Sequence, residues 1–186
     1  ATGCAFYAGL SAVSTDLKNS GWKYYREYAL ADVQIKSTLG FNGDEIEKLS
    51  DGEHFDSGYA GYSADLFVEN NGGQSAVTVL SYSADQPLNK LYLMEGRLPE
   101  KAGECVADYD SMHKISFKIG DTVKLSADGD NDVADYLNQS EYTVVGLVKS
   151  PVYVSYDRGS TTIGTGSVSA FIYVPEENFA YDAYTD

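Results

Sequence analysis

Positive charge is scarce in this sequence. Its 186 residues include 13 Lys and Arg against 28 Asp and Glu, which gives a formal net charge of −15. This balance argues against a nucleic-acid partner, because such a chain cannot neutralise a run of phosphates. It also argues against docking on an anionic membrane face. We interpret the acidity as a source of solubility rather than as a binding function.

Cysteine is also rare, since the chain has only two. Cys4 lies in a segment of small residues and Cys105 in a predicted strand, so a bridge between them is conceivable. Two independent thiols, with Cys105 buried, are the expected state because a lone Cys usually behaves as a small apolar residue. The low count leaves the compartment open.

Long apolar runs are missing. No stretch of about 18 apolar residues occurs, so no segment is expected to span a bilayer. No signal peptide is indicated either. The chain nevertheless begins abruptly with ATGCAFYAGLSA, as if cut just beyond a membrane helix. A hydrophobic content of 43%, which includes all 16 Tyr, predicts a folded core.

Histidine is limited to His54 and His113. Neither has a His or Cys within a helical turn, as a zinc site requires. No G-x-S-x-G sequence marks a nucleophilic serine. We therefore expect no catalytic residue, no cofactor and no cleft in which either histidine meets both a serine and a carboxylate.

The acidic sequence DGDNDVAD is the one candidate metal site. Asp128, Asp130 and Asp132 alternate as in the opening of a Ca²⁺ loop. The pattern then fails, because position six is Val133 rather than Gly and position twelve is Gln139 rather than Glu. A solvated loop between two strands is expected, with weak Ca²⁺ binding as the alternative.

The sequence RGSTTIGTGS at 158–167 predicts a mobile surface loop of the kind that often carries binding. It lacks the Gly-Lys-Ser/Thr ending of a phosphate-binding loop. Tyrosines just before it supply aromatic anchors. We predict partner contacts at Tyr153, Tyr156, Arg158 and Thr162.

The first half of the chain predicts a mixed set of elements. Apolar residues at helical spacing predict a helix over residues 6–28. Residues 32–36 alternate as in a strand, and Asn42 is a candidate cap for a short helix over GDEIEKLS. Strands are predicted over 59–68 and 75–83. This β-α-β-β order, completed by a later helix and strand, predicts an α+β, ferredoxin-like layer. Residues 171–174 are predicted to return as a strand, and Pro175, Glu176 and Glu177 to form the first turn of a helix.

Residues 91–148 carry the strongest strand and turn signals, from LYLMEGRLPEKAGECVAD through FKIGDTVKLS to EYTVVGLVKS. The order of EGR-x-P, Cys-Val, K-x-G-D-T-V and Y-T-V-V-G-x-V resembles the extracytoplasmic domain of MacB/FtsX-like ABC transporter permeases. The later sequence SPVYVSYDRGSTTIGTGSVSAFIYVPEENF is similar to a branch of that family found in large permeases. The resemblance begins near Tyr24 and rests on the order and spacing of turn glycines and apolar strand residues.

The resemblance implies an architecture and a role. It implies an N-terminal helix at 1–28 that continues a membrane helix, a porter-like α+β part at 29–90 and 168–186, and an inserted, mostly β, Sabre-like part at 91–167. It implies a non-catalytic domain on the extracytoplasmic side of the cell membrane, which relays ATP-driven motion outward. The implied partners are the rest of the permease, its cytoplasmic ATPase, an extracytoplasmic protein or substrate, and a second copy in a homodimer. The alternative is a secreted carbohydrate- or Ca²⁺-binding module.

Overall fold

The computed structural model describes residues 2–37, 39–50, 56–70, 73–110, 115–180 and 184–185. Within these ranges the helices are α1 (Thr2–Glu27) and α2 (Gly43–Ser50). The strands are β1 (Ser63–Asn70), β2 (Gly73–Tyr82), β3 (Tyr92–Gly96), β4 (Glu104–Asp108), β5 (Thr122–Ser126), β6 (Glu141–Lys149) and β7 (Ala170–Pro175). Single 3-10 turns lie at Val133–Asp135 and Glu176–Asn178.

Helix α2 begins as the sequence predicts. The Asn42 side chain accepts a hydrogen bond from the Glu45 backbone N–H at 3.0 Å, and the Glu45 carboxylate accepts one from the Asn42 N–H at 2.9 Å. This reciprocal pair satisfies two backbone donors that the first turn leaves unpaired. The predicted role of Asn42 as a cap is confirmed.

The seven strands form one sheet in the order β3-β6-β4-β7-β2-β1-β5, with β5 also paired to β6. Strand β4 occupies one edge of β6, so β5 and β3 share the other edge along successive halves of β6. Because β5 also pairs with β1, strands β1, β2, β7, β4, β6 and β5 close into a six-stranded ring. Strand β3 lies outside the ring, attached to β6 alone among the described strands.

The core fills this ring. Alternate residues of each strand point inward, as the period of two requires. Five of them, all fully buried, come from five of the strands: Leu66, Val79, Cys105, Val144 and Ile172. A second, smaller cluster lies on the outer face of β4, β6 and β7 and contains Val106, Val148, Phe171 and Tyr173. These three strands are therefore covered on both faces, which explains the continuous apolar sequence of β7.

The predicted ferredoxin-like layout is wrong. Residues 32–36 do not form a strand, and Val33 and Ile35 are 66% and 47% exposed. Alternation alone does not make a strand, since its backbone groups need a neighbouring strand. The predicted helix after β7 is the single 3-10 turn at Glu176–Asn178, which ends at an extended Phe179.

The sheet also crosses the predicted subdomain boundaries. Strand β7, from the range 168–186, pairs with β2 on one side and with β4 on the other. These two neighbours belong to the ranges 29–90 and 91–167, respectively. The chain is a mixed α+β domain in which both ranges contribute to one hydrogen-bonded sheet. The division into porter-like and Sabre-like parts stays a prediction.

Candidate functional site

A cleft of about 430 Å³ lies where the end of α1, β3, the ends of β4 and β6, and the loop after β6 meet. Three of the four predicted contact residues line it, namely Tyr153, Tyr156 and Arg158. Thr162 is exposed on the same loop but does not line the cleft. The fold therefore brings most of the predicted contact set to one place.

A buried ion pair closes the base of the cleft. The Arg158 guanidinium donates to both carboxylate oxygens of Asp108, with Nε–Oδ2 at 2.6 Å and Nη2–Oδ1 at 3.0 Å. Nη1 of Arg158 donates to the backbone carbonyls of Tyr153, at 3.1 Å, and of Ser155. Arg158 is 7% exposed and Asp108 is 2% exposed. One side chain thus ties the loop to the end of β4.

Burial and pairing act on the Asp108 carboxyl in opposite directions. Removal from water raises its pKa, whereas the hydrogen bonds from Arg158 lower it, and burial is the larger effect. The carboxylate also accepts a hydrogen bond from the Asp110 backbone N–H at 2.9 Å. Such a pair is held by complete hydrogen bonding rather than by charge attraction alone.

Two stacked aromatic rings, Tyr153 and Phe171, lie next to the Arg158 guanidinium. Phe171 on β7 is fully buried, and the Tyr153 ring stacks on it at 4.8 Å with an interplanar angle of 15°. The guanidinium carbon of Arg158 lies 5.5 Å from the centroid of the Phe171 ring. Arg158 therefore sits between a carboxylate and an aromatic face, both of which favour its charge.

A second ion pair lies nearer the mouth of the cleft. Lys149 Nζ is 2.7 Å from an oxygen of Asp110, with the two side chains 37% and 33% exposed. The same ammonium lies 5.5 Å from the centre of the Tyr109 ring. Lys149 and Asp110 thus keep contact with water while pairing with each other.

Tyrosines join the cleft to helix α1. The Tyr24 ring lies 4.9 Å from that of Tyr28, which lies 5.2 Å from that of Tyr92 on β3. At the rim, Tyr92 is 42% exposed and Tyr156 is 82% exposed. The side of the cleft between α1 and β3 is therefore formed where aromatic rings at the helix end contact an aromatic ring of the sheet.

Backbone hydrogen bonds complete this joint. The N–H groups of Asn89 and Lys90 donate to the carbonyls of Ala29 and Tyr28, both at 2.8 Å. The Asn89 side chain accepts from the Ala31 N–H at 2.9 Å. Both Ala29 and Asn89 have a positive φ, 48° and 52° respectively. The helix thus ends in a fixed geometry against the segment that leads into β3.

An apolar groove of about 200 Å³ is a separate feature. Its lining includes Ile35, Ile46, Leu80 and Val152. Tyr59 also lines it, with a buried side-chain hydroxyl. Burial raises the pKa of this hydroxyl.

In the acidic loop at 128–135, one of the three predicted Ca²⁺ ligands, Asp132, instead caps a turn. Asp132 caps the turn at Val133–Asp135, accepting from the Ala134 N–H at 3.1 Å, and the Asp135 carboxylate accepts from the Asp132 N–H at 3.0 Å. In the described part of the chain, no three His, Cys, Asp or Glu side chains are grouped to hold a metal ion. Asp128, Asp130 and Asp132 are thus not brought together as ligands.

The remaining sequence candidates divide between described and undescribed positions. Cys105 is a free and fully buried thiol, as the sequence predicts. Burial raises the pKa of this thiol to about 12. The expectation about His54 and His113 lies outside the described residues, as does any statement on the Cys4 side chain.

Sequence reasoning missed Asp108, Asp110 and Lys149 as parts of one site. Their signal is weak but present, because each charged residue stands at or just beyond the end of a buried strand. Parallel β4 and β6 end at the same edge of the sheet, so these charges meet there. The sequence does not show that the two strands are neighbours.

Comparison with known proteins finds similarity to solved structures and not to protein families or curated proteins. No protein-family model matches the chain, and no curated protein matches it. No helix among the described residues is both long and apolar enough to cross a membrane.

Two solved structures resemble the fold. One is the extracellular domain of the noncanonical ABC-type transporter YknZ from Gram-positive bacteria, with 13% identity, a TM-score of 0.45, and coverage of 81% of this chain and 71% of that one. The other is the periplasmic region of MacB from Actinobacillus actinomycetemcomitans, with 12% identity, a TM-score of 0.42, and coverage of 82% of this chain and 63% of that one. The chain is similar in structure to these two extracytoplasmic domains.

Proposed function

We propose that this chain is the extracytoplasmic domain of an ABC transporter permease of the MacB/FtsX type. In this proposal it has no catalytic activity, and a separate cytoplasmic ATPase hydrolyses the nucleotide. The domain relays the resulting motion of the membrane helices to a substrate or partner protein outside the membrane. The remaining permease, which is membrane-embedded, and a second copy of it are the further partners.

The joint between α1 and the sheet is the observation that carries this proposal. A relay needs a helix that is firmly fixed to the folded body at one end. The ring contact between Tyr28 and Tyr92 and the backbone hydrogen bonds of Asn89 and Lys90 provide this attachment. In the proposed relay, a displacement of the helix end passes to β3 and, through the pairing of β3 with β6, to the sheet.

Three apolar residues in the described part of α1 have the exposure of a helix that continues away from the body. Val13, Leu17 and Trp22 are 53%, 68% and 65% exposed, although all three are large apolar side chains. A helix that packed along its own domain would bury one such face. This exposure supports a lever that is held at its C-terminal end.

The first experiment concerns the full gene product. We expect hydrophobic spans on both sides of this segment and, in fractionated cells, recovery of the product with the membrane. A cysteine introduced at exposed Tyr156 should react with a membrane-impermeant maleimide added to intact cells. A full product without spans, recovered from the medium, would instead identify a secreted module and overturn the proposal.

The second experiment tests the relay in the full permease with its ATPase. Hydrogen exchange of the amides at 88–93 should change between resting and ATP-hydrolysing conditions. The double variant Tyr28→Ala, Tyr92→Ala should abolish this change while preserving the circular dichroism spectrum of the domain. Trp22→Ala, an exposed aromatic on the same helix, is the matched control and should retain it. An unchanged response in the double variant would show that the joint carries no motion.

A further inference from the structure

The cleft also has the dimensions of a ligand site. Small-molecule sites typically enclose roughly 300–1,000 Å³ and combine aromatic walls with a few polar groups. At about 430 Å³, with tyrosines at the rim and hydrogen-bonding groups inside, this cleft falls within that range. The proposed relay needs contact between the helix and the sheet, but it does not need this open space.

The paired charges of the cleft disfavour an ionic ligand. Its four charged side chains form two internal pairs, Asp108 with Arg158 and Asp110 with Lys149. The cleft is therefore neutral in a chain whose net charge is −15. An anion or a cation would have to compete with one of these pairs and leave a charge without its partner.

The polar groups exclude a purely apolar ligand. Lys149 and Asp110 are about one-third exposed, so water that enters the cleft can hydrogen-bond to them. An apolar molecule would displace that water without replacing its hydrogen bonds, which is costly. A ligand rich in hydroxyls replaces them, since each hydroxyl both donates and accepts. Hydrogen bonds to these ionised groups are also stronger than those between neutral groups.

The rim adds an apolar surface of defined shape. Tyr156 is 82% exposed, although it stands beside a buried ion pair, and Tyr92 is 42% exposed. The face of an aromatic ring carries partial negative charge and attracts C–H groups that carry partial positive charge. A sugar ring presents such C–H groups on its faces and hydroxyls around its edge.

We propose that the cleft binds a neutral carbohydrate, with Tyr156 stacked on a sugar ring and the Asp110–Lys149 pair hydrogen-bonded to neighbouring hydroxyls. This site goes beyond the proposed relay and does not depend on it. A sugar chain held at the joint would contact both α1, through Tyr24, and β3, through Tyr92.

The test is a titration of the ¹⁵N-labelled chain with three neutral trisaccharides, namely chitotriose, cellotriose and maltotriose. At least one should shift the amides at 149–158 in a saturable manner. The affinity should be nearly independent of salt, because the ligand carries no charge. Tyr156→Ala should weaken binding about threefold to tenfold, the contribution of one aromatic contact. Tyr156→Phe should bind as the parent does, since it keeps the ring.

Trp22→Ala is the matched control, because Trp22 is an exposed aromatic that does not line the cleft. It should leave the affinity unchanged. The proposal is overturned if no trisaccharide shifts these amides, if the shifts lie around the apolar groove instead, or if Tyr156→Ala binds as well as the parent. A carbohydrate bound by a chain that fails the relay experiment would separate this site from the proposed function.

Discussion

Arg158 and Asp108 form a bidentate ion pair across 50 residues of sequence, with both side chains almost completely buried. The pair joins the loop that follows β6 to the end of β4, and so it sets the shape of the cleft. The guanidinium also donates, through Nη1, to the backbone carbonyls of two loop residues, Tyr153 and Ser155. The Arg158 side chain therefore holds the loop against the end of β4.

Asp108→Ala should destabilise the fold by about 3–5 kcal/mol, because it leaves the Arg158 charge buried without its partner. Urea unfolding followed by circular dichroism measures this loss. Asp110→Ala, which removes the partly exposed carboxylate of the neighbouring pair, should cost only about 0–1 kcal/mol. The double variant Asp108→Leu, Arg158→Met should recover much of the loss. Equal effects of the two alanine variants would contradict the buried pair.

Ala29→Gly should stabilise the chain by about 0.5–1 kcal/mol, the relief of left-handed strain less the added freedom of the unfolded chain. Ala29 follows α1 with a φ of 48°, the left-handed conformation that glycine adopts without strain. The Leu30 N–H donates to the Tyr25 carbonyl at 2.9 Å and the Ala29 N–H to the Arg26 carbonyl at 3.3 Å, the pattern that usually ends at a glycine.

Thermal unfolding provides the measurement for Ala29→Gly. Ala31→Gly is its control, because Ala31 is not among the described residues with a positive φ. That change should lower stability by increasing the freedom of the unfolded chain. If both glycine variants are destabilised, the helix does not end in the left-handed geometry.

Tyr142→Phe should raise the free energy of unfolding by about 1 kcal/mol. The Tyr142 hydroxyl is buried inside the six-stranded ring without a hydrogen-bond partner among the described residues. Burial raises its pKa to about 12. Removing an unpaired buried hydroxyl relieves its desolvation cost. Tyr173→Phe is the opposite case, since the Tyr173 hydroxyl lies 3.1 Å from Ser150 Oγ. It should lose about 1 kcal/mol in the same urea experiment, and a matching sign for both variants would refute the assignment.

Stability should fall as the pH is lowered towards 2, with Glu104 as one cause. Hydrogen bonds from the Arg97 guanidinium, at 2.5 and 2.8 Å, lower the pKa of Glu104 from 4.5 to about 2. A lowered pKa in the folded state stabilises the fold above pH 4.5, and this contribution is lost between pH 4.5 and about 2.

Glu104→Gln should therefore flatten the decline in that pH interval, as measured by urea unfolding at several pH values. Glu100→Gln is the control, because the Glu100 carboxylate is 70% exposed and lies 4.0 Å from the Arg97 guanidinium, farther than the carboxylate of Glu104. Its profile should follow that of the parent. A Glu104→Gln profile that also follows the parent would show that this carboxyl does not contribute to acid sensitivity.

Local structure follows closely from the sequence. Asn42 and Glu45 stand three residues apart, and this spacing is sufficient to specify a capped helix start. The alternation of Val123 and Leu125 places both in the core of the ring, as a half-buried strand requires. In each case the partners are near in sequence, so their chemistry can be read directly.

The pairing of distant elements was decided by the tertiary structure. The sequence predicts strands near β2, β4 and β7, but the contact of β7 with both others joins ranges that were assigned to different subdomains. The cleft depends on the same kind of event, because Asp108 and Arg158 meet only when β4 and β6 become parallel neighbours. Such contacts are selected by closing long loops and by burial of the whole ring, and no local spacing of residues encodes them.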